Sequence, residues 1–500
     1  MHQNHAITRI DLSAIRSLQK LVSPSTGGWP VISKVIRGGP SNVSLYNERF
    51  KYRIGGLKWG RQSMRFAVIG TGIAGNAAAW LLSKRHAVTV YERELRPGGH
   101  SHTVRVDYDG EAIDVDVGFI VFNEANYPQL TALFARLGVR TVETCMSFAM
   151  SADHGRFEWR GGGETFLQTV RGLFAQPSNL GSPSYFRMLA EVLRFNRQSA
   201  ADLRAGRLHN LTLGEYLRKE SFGPRLFSDY LGPMGAAIWS SSSDDIMSFP
   251  AENFVAFFDN HRLLHLDRPR WRTVEGGSRR YVEKLTAMFK DNIRLGCAVT
   301  SIHRSEHGVT VRDTQGGVET YDAVVMACHS DQALAALPDA DAQERSILGA
   351  IRYAPNTVYL HRDRNLMPRR RQAWASWNFL QWPRQTPAQN DVAVTYWMNR
   401  LQGIDDSKPL FVSLNPPFEP AEHLTFGKFS FAHPQYDLAA FAAQQRLPAI
   451  QGRRRTWFCG AWTGYGFHED GLQAGISVAE ALGGEVPWRQ ADPLLVQAAE

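Results

Sequence analysis

One stretch near residue 70 constrains the fold of this chain more than any other. Phe66–Ile69 is a short apolar run that leads directly into Gly70-x-Gly72-x-x-Gly75, and apolar residues at helical spacing follow. This pattern predicts a buried parallel strand, a tight turn and a helix. The first glycine permits the turn, the second lets the backbone approach a pyrophosphate, and the third lets helix and strand pack closely. A dinucleotide-binding fold is therefore predicted.

A second strand and an acidic residue complete this unit. The run from Ala87 to Tyr91 has the composition of a strand, and Glu92 follows it, 20 residues after Gly72. A carboxylate at this position can accept hydrogen bonds from both ribose hydroxyls of an adenosine, and it would repel a 2′-phosphate. Because phosphates bind at the free N–H groups of a helix N-terminus, Ile73 and Ala74 are expected beside the cofactor.

The positive charge of the chain is concentrated at its N-terminus. Residues 1–63 hold ten Lys or Arg residues against two acidic ones, which accounts for the whole formal net charge of +8. Basic proteins often bind nucleic acid, but only the leader is basic here, so no nucleic-acid partner is predicted for the body. The leader is expected to be a disordered extension or an over-long start. The alternative is a basic amphipathic helix between Ile7 and Leu21 that lies on an anionic membrane.

The cysteines and the hydropathy pattern exclude several classes of protein. Cys145, Cys297, Cys328 and Cys459 are far apart and form no CxxC pair, so neither a disulfide framework nor a metal site is predicted. No apolar run has the length of a membrane span, and the N-terminus lacks the apolar core of a signal peptide. A cytoplasmic protein is expected, with at most peripheral contact at the inner face of the membrane.

Motifs at both ends of the chain resemble those of the FAD-dependent amine oxidase and phytoene desaturase superfamily. They are Pro97-Gly98-Gly99-His100, Gly118-Phe119, Trp457 to Trp462 and Gly466 to Gly475. The resemblance implies FAD rather than NAD as the cofactor. It also implies that the diglycine supports the pyrophosphate, that a strand from Ile293 to Ile302 passes the adenine, and that the C-terminal strand and helix close over the ribitol and the flavin ring.

The resemblance, together with the glycine fingerprint and Glu92, predicts a set of cofactor-binding residues. They are Gly70, Gly72, Ile73, Ala74, Gly75, Glu92, Arg93, Gly98, Gly99, His100, Ser101, Gly118, Phe119, Val299, Gly460, Ala461, Asp470, Gly471, Leu472 and Gln473. Val299 would contact the adenine through its backbone. Asp470 is the predicted N-cap of a helix that begins at Gly471, and the positive end of this helix would stabilise the anionic reduced flavin. His100 and Ala461 depart from the superfamily, where Arg and an acid are common.

A longer, ordered set of motifs is similar to the FAD-containing N-terminal domain of plant cyclopropane fatty acid synthases and to its free-standing bacterial relatives. These motifs are Gly98 to Val104, Gly118-Phe119, Ile238 to Ser240, Asn260 to Leu264 and Arg268 to Trp271. The resemblance covers roughly residues 65–480. It implies an unsaturated or methyl-branched fatty acyl chain as the substrate and, by analogy with the plant fusion, a cyclopropane-synthase-like methyltransferase as a partner.

The implied fold is α/β, with a Rossmann-like FAD-binding domain of the glutathione-reductase and amine oxidase type and an inserted mixed α+β substrate domain. A chain of 500 residues exceeds a single core, so more than one domain is expected. The predicted segments are 1–63 for the extension; 64–119, 272–335 and 441–484 for the FAD-binding domain; 120–271 and 336–440 for the substrate domain; and 485–500 for a C-terminal tail.

Candidate catalytic residues are expected around the flavin and in the substrate domain. His468 and Glu469 lie beside the predicted flavin edge and could serve as acid or base; alternatively they only cap the last helix and fix its loop. Trp377 and Tyr396 are predicted on strands that form the far wall of the site. The apolar face of a helix from Phe254 to Leu264 could line an acyl-chain tunnel or simply pack in a core.

The scarcity of lysines late in the chain and the lack of a second glycine fingerprint indicate which type of reaction the flavin would carry out. Amine oxidases of the superfamily use a lysine that holds water near the flavin N5, but beyond residue 290 only Lys408 and Lys428 remain, and neither has a convincing strand context. No second GxGxxG occurs, so the organic substrate is the expected reductant and oxygen or a quinone the acceptor. A lipid-dehydrogenating flavoenzyme is favoured over an amine or carotenoid-type oxidase and over a non-catalytic, FAD-stabilised scaffold that delivers lipid to the methyltransferase.

Overall fold

The computed structural model describes residues 63–163, 165–265, 269–382 and 393–489. These residues all belong to one compact unit. Apart from Ser63, the predicted N-terminal extension lies outside the described residues, as do residues 490–500 of the predicted tail. None of the helices in the described ranges is both long and apolar enough to cross a lipid bilayer.

Strands and helices alternate through the first part of the chain, and strands dominate the last part. The strands are β1 (Arg65–Ile69), β2 (Ala87–Tyr91), β3 (Thr103–Tyr108), β4 (Glu111–Asp116), β5 (Val121–Asn123), β6 (Thr141–Thr144), β7 (Phe148–Ala152), β8 (Phe157–Gly161), β9 (Trp271–Val274), β10 (Ile293–Arg294), β11 (Val299–Arg304), β12 (Val309–Asp313), β13 (Val318–Tyr321), β14 (Ala323–Met326), β15 (Arg352–His361), β16 (Trp377–Gln381), β17 (Val394–Trp397), β18 (Phe411–Leu414), β19 (Thr425–Gln435) and β20 (Thr456–Phe458). The helices are α1 (Ile73–Leu82), α2 (Pro128–Leu137), α3 (Phe166–Leu173), α4 (Pro183–Arg204), α5 (Leu213–Lys219), α6 (Pro224–Leu226), α7 (Gly232–Trp239), α8 (Ser243–Ser248), α9 (Ala251–Asn260), α10 (Arg279–Thr286), α11 (Ser330–Ala335), α12 (Ala342–Leu348), α13 (Met398–Gln402), α14 (Leu438–Arg446) and α15 (His468–Ala481).

A parallel sheet of order β10-β2-β1-β14-β20 forms the nucleotide-binding layer. Its central strand β1 is apolar and buried from Phe66 onward, as expected for a strand covered on both faces. Helices α1 and α15 pack tightly against each other. A Cβ built on Gly475 of α15 would lie closer than 3.0 Å to the carbonyl oxygen of Ala74 in α1, so only glycine fits at this contact. The two ends of the described chain therefore meet in one layer, and the predicted α/β class with a parallel sheet is confirmed.

Several helix ends follow from local sequence. Gly138 ends α2 in the left-handed conformation at φ 59°, where glycine is favoured. Thr212 and Glu215 form a capping box at the start of α5. In contrast, the prediction of one strand from Ile293 to Ile302 is wrong: β10 joins the parallel sheet, whereas β11 pairs antiparallel with β12. The chain turns between them at Gly296, whose φ is +63°.

A seven-stranded sheet of order β19-β15-β18-β17-β16-β7-β8 forms the second layer. Its strands come from the two predicted substrate-domain segments, and β16 and β7 are its parallel pair. Helix α9 divides its aromatic residues between core and cavity. Phe254 and Phe258 stack at 4.3 Å inside the core, whereas Phe257 and His261 reach the cavity described below. Part of this helix therefore packs in the core and part of it lines the cavity; whether the cavity holds an acyl chain stays a prediction.

Candidate cofactor and substrate site

A cavity of about 1160 Å³ lies at the carboxyl edge of the parallel sheet. Its wall includes residues within three positions of the ends of β1, β2, β14 and β20, among them Gly70, Glu92, Ala327 and Ala461. Ligands of open α/β sheets bind outside the carboxyl ends of the strands. The volume exceeds the roughly 300–1,000 Å³ of ordinary small-molecule sites, so the cavity has room for a dinucleotide and a second molecule.

The glycine turn after β1 leaves free space where a pyrophosphate would bind. Gly72 is the N-cap of α1 with φ −62°, and α1 has neither a side-chain cap nor an acidic residue in its first turn. A Cβ built on Gly72 would meet no atom within 4 Å. The N-terminal N–H groups and the dipole of α1 are therefore available to an anion. This turn fits the diphosphate of a dinucleotide.

The Glu92 carboxylate is fixed at the cavity wall. It accepts hydrogen bonds from the backbone N–H and the hydroxyl of Thr71 and from the backbone N–H of Glu94 at 2.9 Å. The side chain is only 7% exposed, and its residue lines the cavity. Glu92, which the sequence predicts to bind the ribose, is therefore held in place by Thr71, a residue of the Gly70–Gly75 turn.

The predicted cofactor residues divide into those that line the cavity and those that support its wall. Lining residues are Gly70, Gly72, Ile73, Ala74, Glu92, Arg93, Gly99, His100, Gly118, Phe119, Val299, Gly460 and Ala461. Gly75, Gly98, Ser101, Asp470, Gly471, Leu472 and Gln473 are not part of the wall. Gly75 packs against the Gly70 carbonyl and Gly471 against Ile73, so these two glycines bring the lining backbone segments together.

Helix α15 begins three residues earlier than the sequence indicated. Its first residue is His468 and its N-cap is Phe467, so the prediction that Asp470 is the N-cap is wrong. Asp470 lies within the first turn, and its carboxylate accepts the backbone N–H of Phe467 at 2.9 Å. An acid three residues after the N-cap stabilises the helix start in the same way as the acid of a capping box. The helix end nearest the cavity is Phe467–His468.

Glu469 binds another helix instead of facing the cavity. Its carboxylate accepts the backbone N–H groups of Gln129 at 2.9 Å and Leu130 at 3.0 Å, at the N-terminus of α2. The side chain is buried and does not line the cavity. Burial raises the pKa of Glu469 to about 8, against the opposing effect of the two backbone hydrogen bonds. The expectation that Glu469 acts on substrate is therefore corrected: it caps α2.

A pH-dependent stability follows from this burial. The folded-state pKa of Glu469 is raised from 4.5 to about 8, so the folded protein binds more protons than the unfolded chain between these values. The stabilisation from this group is present in full below about pH 4.5 and is lost as the pH rises towards 8. We expect the stability advantage of wild type over Glu469→Gln to shrink steadily from pH 5 to pH 8. Urea unfolding of both proteins at several pH values measures this difference; a constant difference would contradict the assignment.

His468 lines the cavity but is held by protein partners. Its Nε2 atom lies 2.9 Å from the Ser101 hydroxyl and 3.0 Å from the Tyr281 hydroxyl, and its ring stacks on Phe119 at 3.8 Å. Burial lowers the pKa of His468 to about 3, so the ring is neutral and Nε2 can accept a hydrogen bond. The geometry supports a role in fixing the loop before α15 more directly than a role as a proton donor.

The far end of the cavity is aromatic and aliphatic. Trp377 and Tyr396 are paired on neighbouring strands β16 and β17, with their rings edge to face at 5.1 Å. The indole Nε1 of Trp377 is buried without a hydrogen-bond partner. Other aromatic and aliphatic residues that line the cavity include Tyr230, Met234, Ile238, Phe257, Leu263, Val358, Val412, Leu414, Phe429 and Phe431.

Sequence reasoning missed part of this wall. Phe429, Phe431 and His433 all line the cavity from β19, and their spacing by two residues is the period of one strand face. That alternation was the available signal. His329, three residues after the end of the buried strand β14, was also missed, although its place after a parallel strand is typical of ligand-binding positions.

Neither late lysine reaches the cavity. Lys408 forms an ion pair with Glu111, and Lys428 forms one with Glu419 at 2.9 Å. Among the residues that the structure describes, the cavity wall contains no lysine. The water-holding lysine expected of an amine oxidase thus has no counterpart in the described wall.

Fold and site together define a dinucleotide-dependent oxidoreductase, and comparisons with known proteins identify its family. Residues 73–407, more than half of the chain, match the model of the family described as flavin containing amine oxidoreductase. The chain belongs to this family, which makes it an FAD-dependent oxidoreductase. A search of curated proteins finds no match.

Solved structures of similar fold include enzymes that act on different classes of substrate. Putrescine oxidase bound to putrescine is 15% identical, with a TM-score of 0.59 over 85% of this chain and 100% of that one. A fatty acid isomerase from P. acnes that produces CLA is 17% identical, with a TM-score of 0.58 over 84% and 98%. Cyclohexylamine oxidase from Brevibacterium oxydans IH-35A is 17% identical, with a TM-score of 0.55 over 84% and 100%. At these identities the likeness shows the fold alone.

Proposed function

We propose that this FAD-dependent oxidoreductase dehydrogenates an unsaturated or methyl-branched fatty acyl chain. The observation that carries the proposal is the chemistry of the far end of the cavity, where aromatic and aliphatic side chains form the wall. Such a surface gains free energy by excluding water from an alkyl chain, at about 25 cal/mol per Å² of apolar area. One solved structure of similar fold is a fatty acid isomerase, so this architecture accommodates acyl substrates in at least one other protein.

Three acidic residues belong to the described wall of the cavity. Glu92 and Glu94 follow β2 at the nucleotide end, and Glu143 is at the surface, with 62% of its side chain exposed. A buried ammonium ion needs a compensating charge, and the described apolar wall offers none. This distribution of charge favours a neutral alkyl chain over an amine.

The chain's own residues have three roles in this proposal. When bound, FAD would supply the acceptor for the hydride that leaves the substrate carbon, and the proton lost with it would pass to solvent. The glycine turn, Glu92 and the N-terminus of α1 bind and orient the cofactor. Trp377 and Tyr396 position the acyl chain and exclude water, and the unpartnered Trp377 indole N–H is free to donate to a polar group of the substrate. Neutral His468 keeps the loop before α15 in place.

We further propose a cyclopropane-synthase-like methyltransferase as the functional partner. The support is the resemblance of the motifs from Gly98 to Trp271 to one half of the plant fusion. By analogy with the fusion, the separate chain would act on the same lipid as the methyltransferase.

A product assay tests the proposed reaction. We expect the FAD-loaded protein, incubated aerobically with phospholipids that carry unsaturated or methyl-branched chains, to consume oxygen and to yield acyl chains that have lost two hydrogen atoms, detected by mass spectrometry. Trp377→Ala should raise the KM for lipid by about tenfold, since a buried aromatic anchor contributes at least 1.4 kcal/mol to binding. Unchanged acyl chains in all lipids would contradict the proposal.

Amine oxidation is the second candidate function, because the matched family and two of the reported structures are named for amines. Putrescine and cyclohexylamine serve as test substrates in the same assay. Oxygen consumption with an amine and none with any lipid would establish this alternative. No turnover of either class, with FAD bound, would favour the scaffold that delivers lipid to the methyltransferase.

A further inference from the structure

Three histidines from distant parts of the chain line the same cavity. His100 follows the diglycine, His329 follows strand β14, and His433 lies on β19 in the facing sheet; all three line the cavity. The ring centroids of His100 and His433 are 5.3 Å apart. We refer to His100, His329 and His433 as the imidazole cluster.

Two ring nitrogens of the imidazole cluster are buried without a partner. Nε2 of His100 and Nδ1 of His329 have no hydrogen-bond partner in the structure. The rest of each ring is held by aromatic contacts: His329 stacks on Tyr353 at 4.3 Å with an interplanar angle of 10°, and His100 packs on Phe431 at 5.0 Å. A buried polar atom without a partner costs about 1–3 kcal/mol, and in a folded protein such an atom is commonly explained by a water or an ion that binds nearby.

The position of the imidazole cluster, next to the predicted pyrophosphate turn, indicates which ligand it would bind. Gly99, the residue before His100, lies so close to Gly72 that a Cβ built on it would be 3.0 Å from the Gly72 Cα. Cys328, the residue before His329, accepts a hydrogen bond through its carbonyl oxygen from the Trp462 indole at 3.1 Å, next to Ala461. The cluster is thus adjacent both to the pyrophosphate turn and to the loop that follows β20.

Burial and neighbouring charges lower the pKa of all three histidines of the imidazole cluster. Burial, and then Arg93 against the opposing effect of Asp331, lowers the pKa of His329. Burial and then His329 lower the pKa of His433 to about 4. Burial first, and then the neighbouring histidines and Arg96, lower the pKa of His100 well below its ordinary value. All three rings are therefore neutral near pH 7, so each presents one N–H donor and one acceptor nitrogen.

We propose that the imidazole cluster is part of the cofactor-binding site, in which His100, His329 and His433 hydrogen-bond the FAD molecule. Donors and acceptors on one cluster can satisfy both the oxygens of a diphosphate and the hydroxyls of a ribitol. His433 joins from the second layer, so binding of FAD also ties the seven-stranded sheet to the nucleotide-binding layer. The proposal rests on the FAD dependence of the family and not on the identity of the substrate.

Ring-preserving substitutions test the proposal. His329→Phe keeps the stack on Tyr353 and removes the nitrogens, and His433→Phe does the same on β19. We expect each variant to bind FAD about tenfold more weakly than wild type, because a hydrogen bond to a charged group contributes about that factor. The measurement is the quenching of flavin fluorescence when FAD is titrated into apoprotein, without lipid or amine present. The outcome is therefore independent of the substrate.

Two further variants keep the test decisive. His303→Phe, at an exposed position of β11, is the matched control and should bind FAD as wild type does. His433→Asn retains a donor and an acceptor and should recover part of the lost affinity, even if a phenylalanine variant folds poorly as judged by circular dichroism. FAD affinities equal to wild type in both folded phenylalanine variants would overturn the proposal, as would a loss in His433→Asn equal to that in His433→Phe.

Discussion

Gly72→Asp is expected to fold normally and to lose FAD. The backbone of Gly72 has φ −62° and a Cβ built on it meets no atom within 4 Å, so the apoprotein can accommodate a side chain. In the holoprotein that side chain would occupy the space for the pyrophosphate, and its charge would repel the phosphates. We expect the dissociation constant for FAD to rise at least 100-fold, which corresponds to about 2.7 kcal/mol. Flavin fluorescence titration measures the affinity, and thermal unfolding of the apoprotein checks the fold.

Gly72→Ala separates the effect of side-chain size on FAD affinity from the effect of negative charge. It adds one methyl group at the same place without a negative charge, so a smaller loss of FAD affinity is expected. The melting temperatures of both apoproteins should match that of the wild-type apoprotein. Wild-type affinity in Gly72→Asp would mean that the cofactor does not bind at the N-terminus of α1.

Gly75→Ala is expected to lower the stability of the fold, whereas the substitutions at Gly72 are expected to lower only the affinity for FAD. A Cβ on Gly75 would lie closer than 3.0 Å to the carbonyl oxygen of Gly70 and at 3.0 Å from the Cβ of Ala327. Both neighbours belong to the packed layer of α1, β1 and β14, so neither can move alone. Alanine adds about 1 kcal/mol of helix propensity, but overpacking of a close backbone contact costs 1–3 kcal/mol or more. We expect a net loss of about 2 kcal/mol in the free energy of unfolding, measured by urea denaturation of the apoprotein.

Gly181→Ala is the control for this second substitution. Gly181 has a Cβ position with no atom within 4 Å and no positive φ, so the change should alter stability by less than about 0.5 kcal/mol. Equal stability of Gly75→Ala and wild type would show that the turn can shift away from the helix. In that case the close packing of α1 on β1 would not be a constraint on this fold.

Local patterns predicted the parts of the structure that depend on neighbouring residues. The β1–α1–β2 unit is determined by contacts within a few residues, and periodicity and capping rules describe such contacts. The start of α15 was misplaced because Asp470 is suited to cap a helix from more than one position.

Contacts between distant residues could not be predicted in the same way. Glu469 binds backbone N–H groups of Gln129 and Leu130, which are about 340 positions earlier in the sequence. The imidazole cluster forms only in the folded protein, because His100, His329 and His433 come from three separate parts of the chain. Nothing in the local sequence of His433 indicates that it meets His100, since a polar residue on a strand face is compatible with solvent as well as with a cavity.

Anaerobic reduction of the bound flavin is the most direct test of the central claim. The purified holoprotein, mixed without oxygen with vesicles of phospholipids that carry unsaturated or methyl-branched chains, should lose the visible absorption of oxidised flavin, because the substrate delivers a hydride to the cofactor. Readmission of air should restore the absorption. A flavin that stays oxidised with these lipids but bleaches with putrescine or cyclohexylamine would contradict the proposed lipid dehydrogenase, and a protein that binds no flavin would contradict the assignment of the cavity itself.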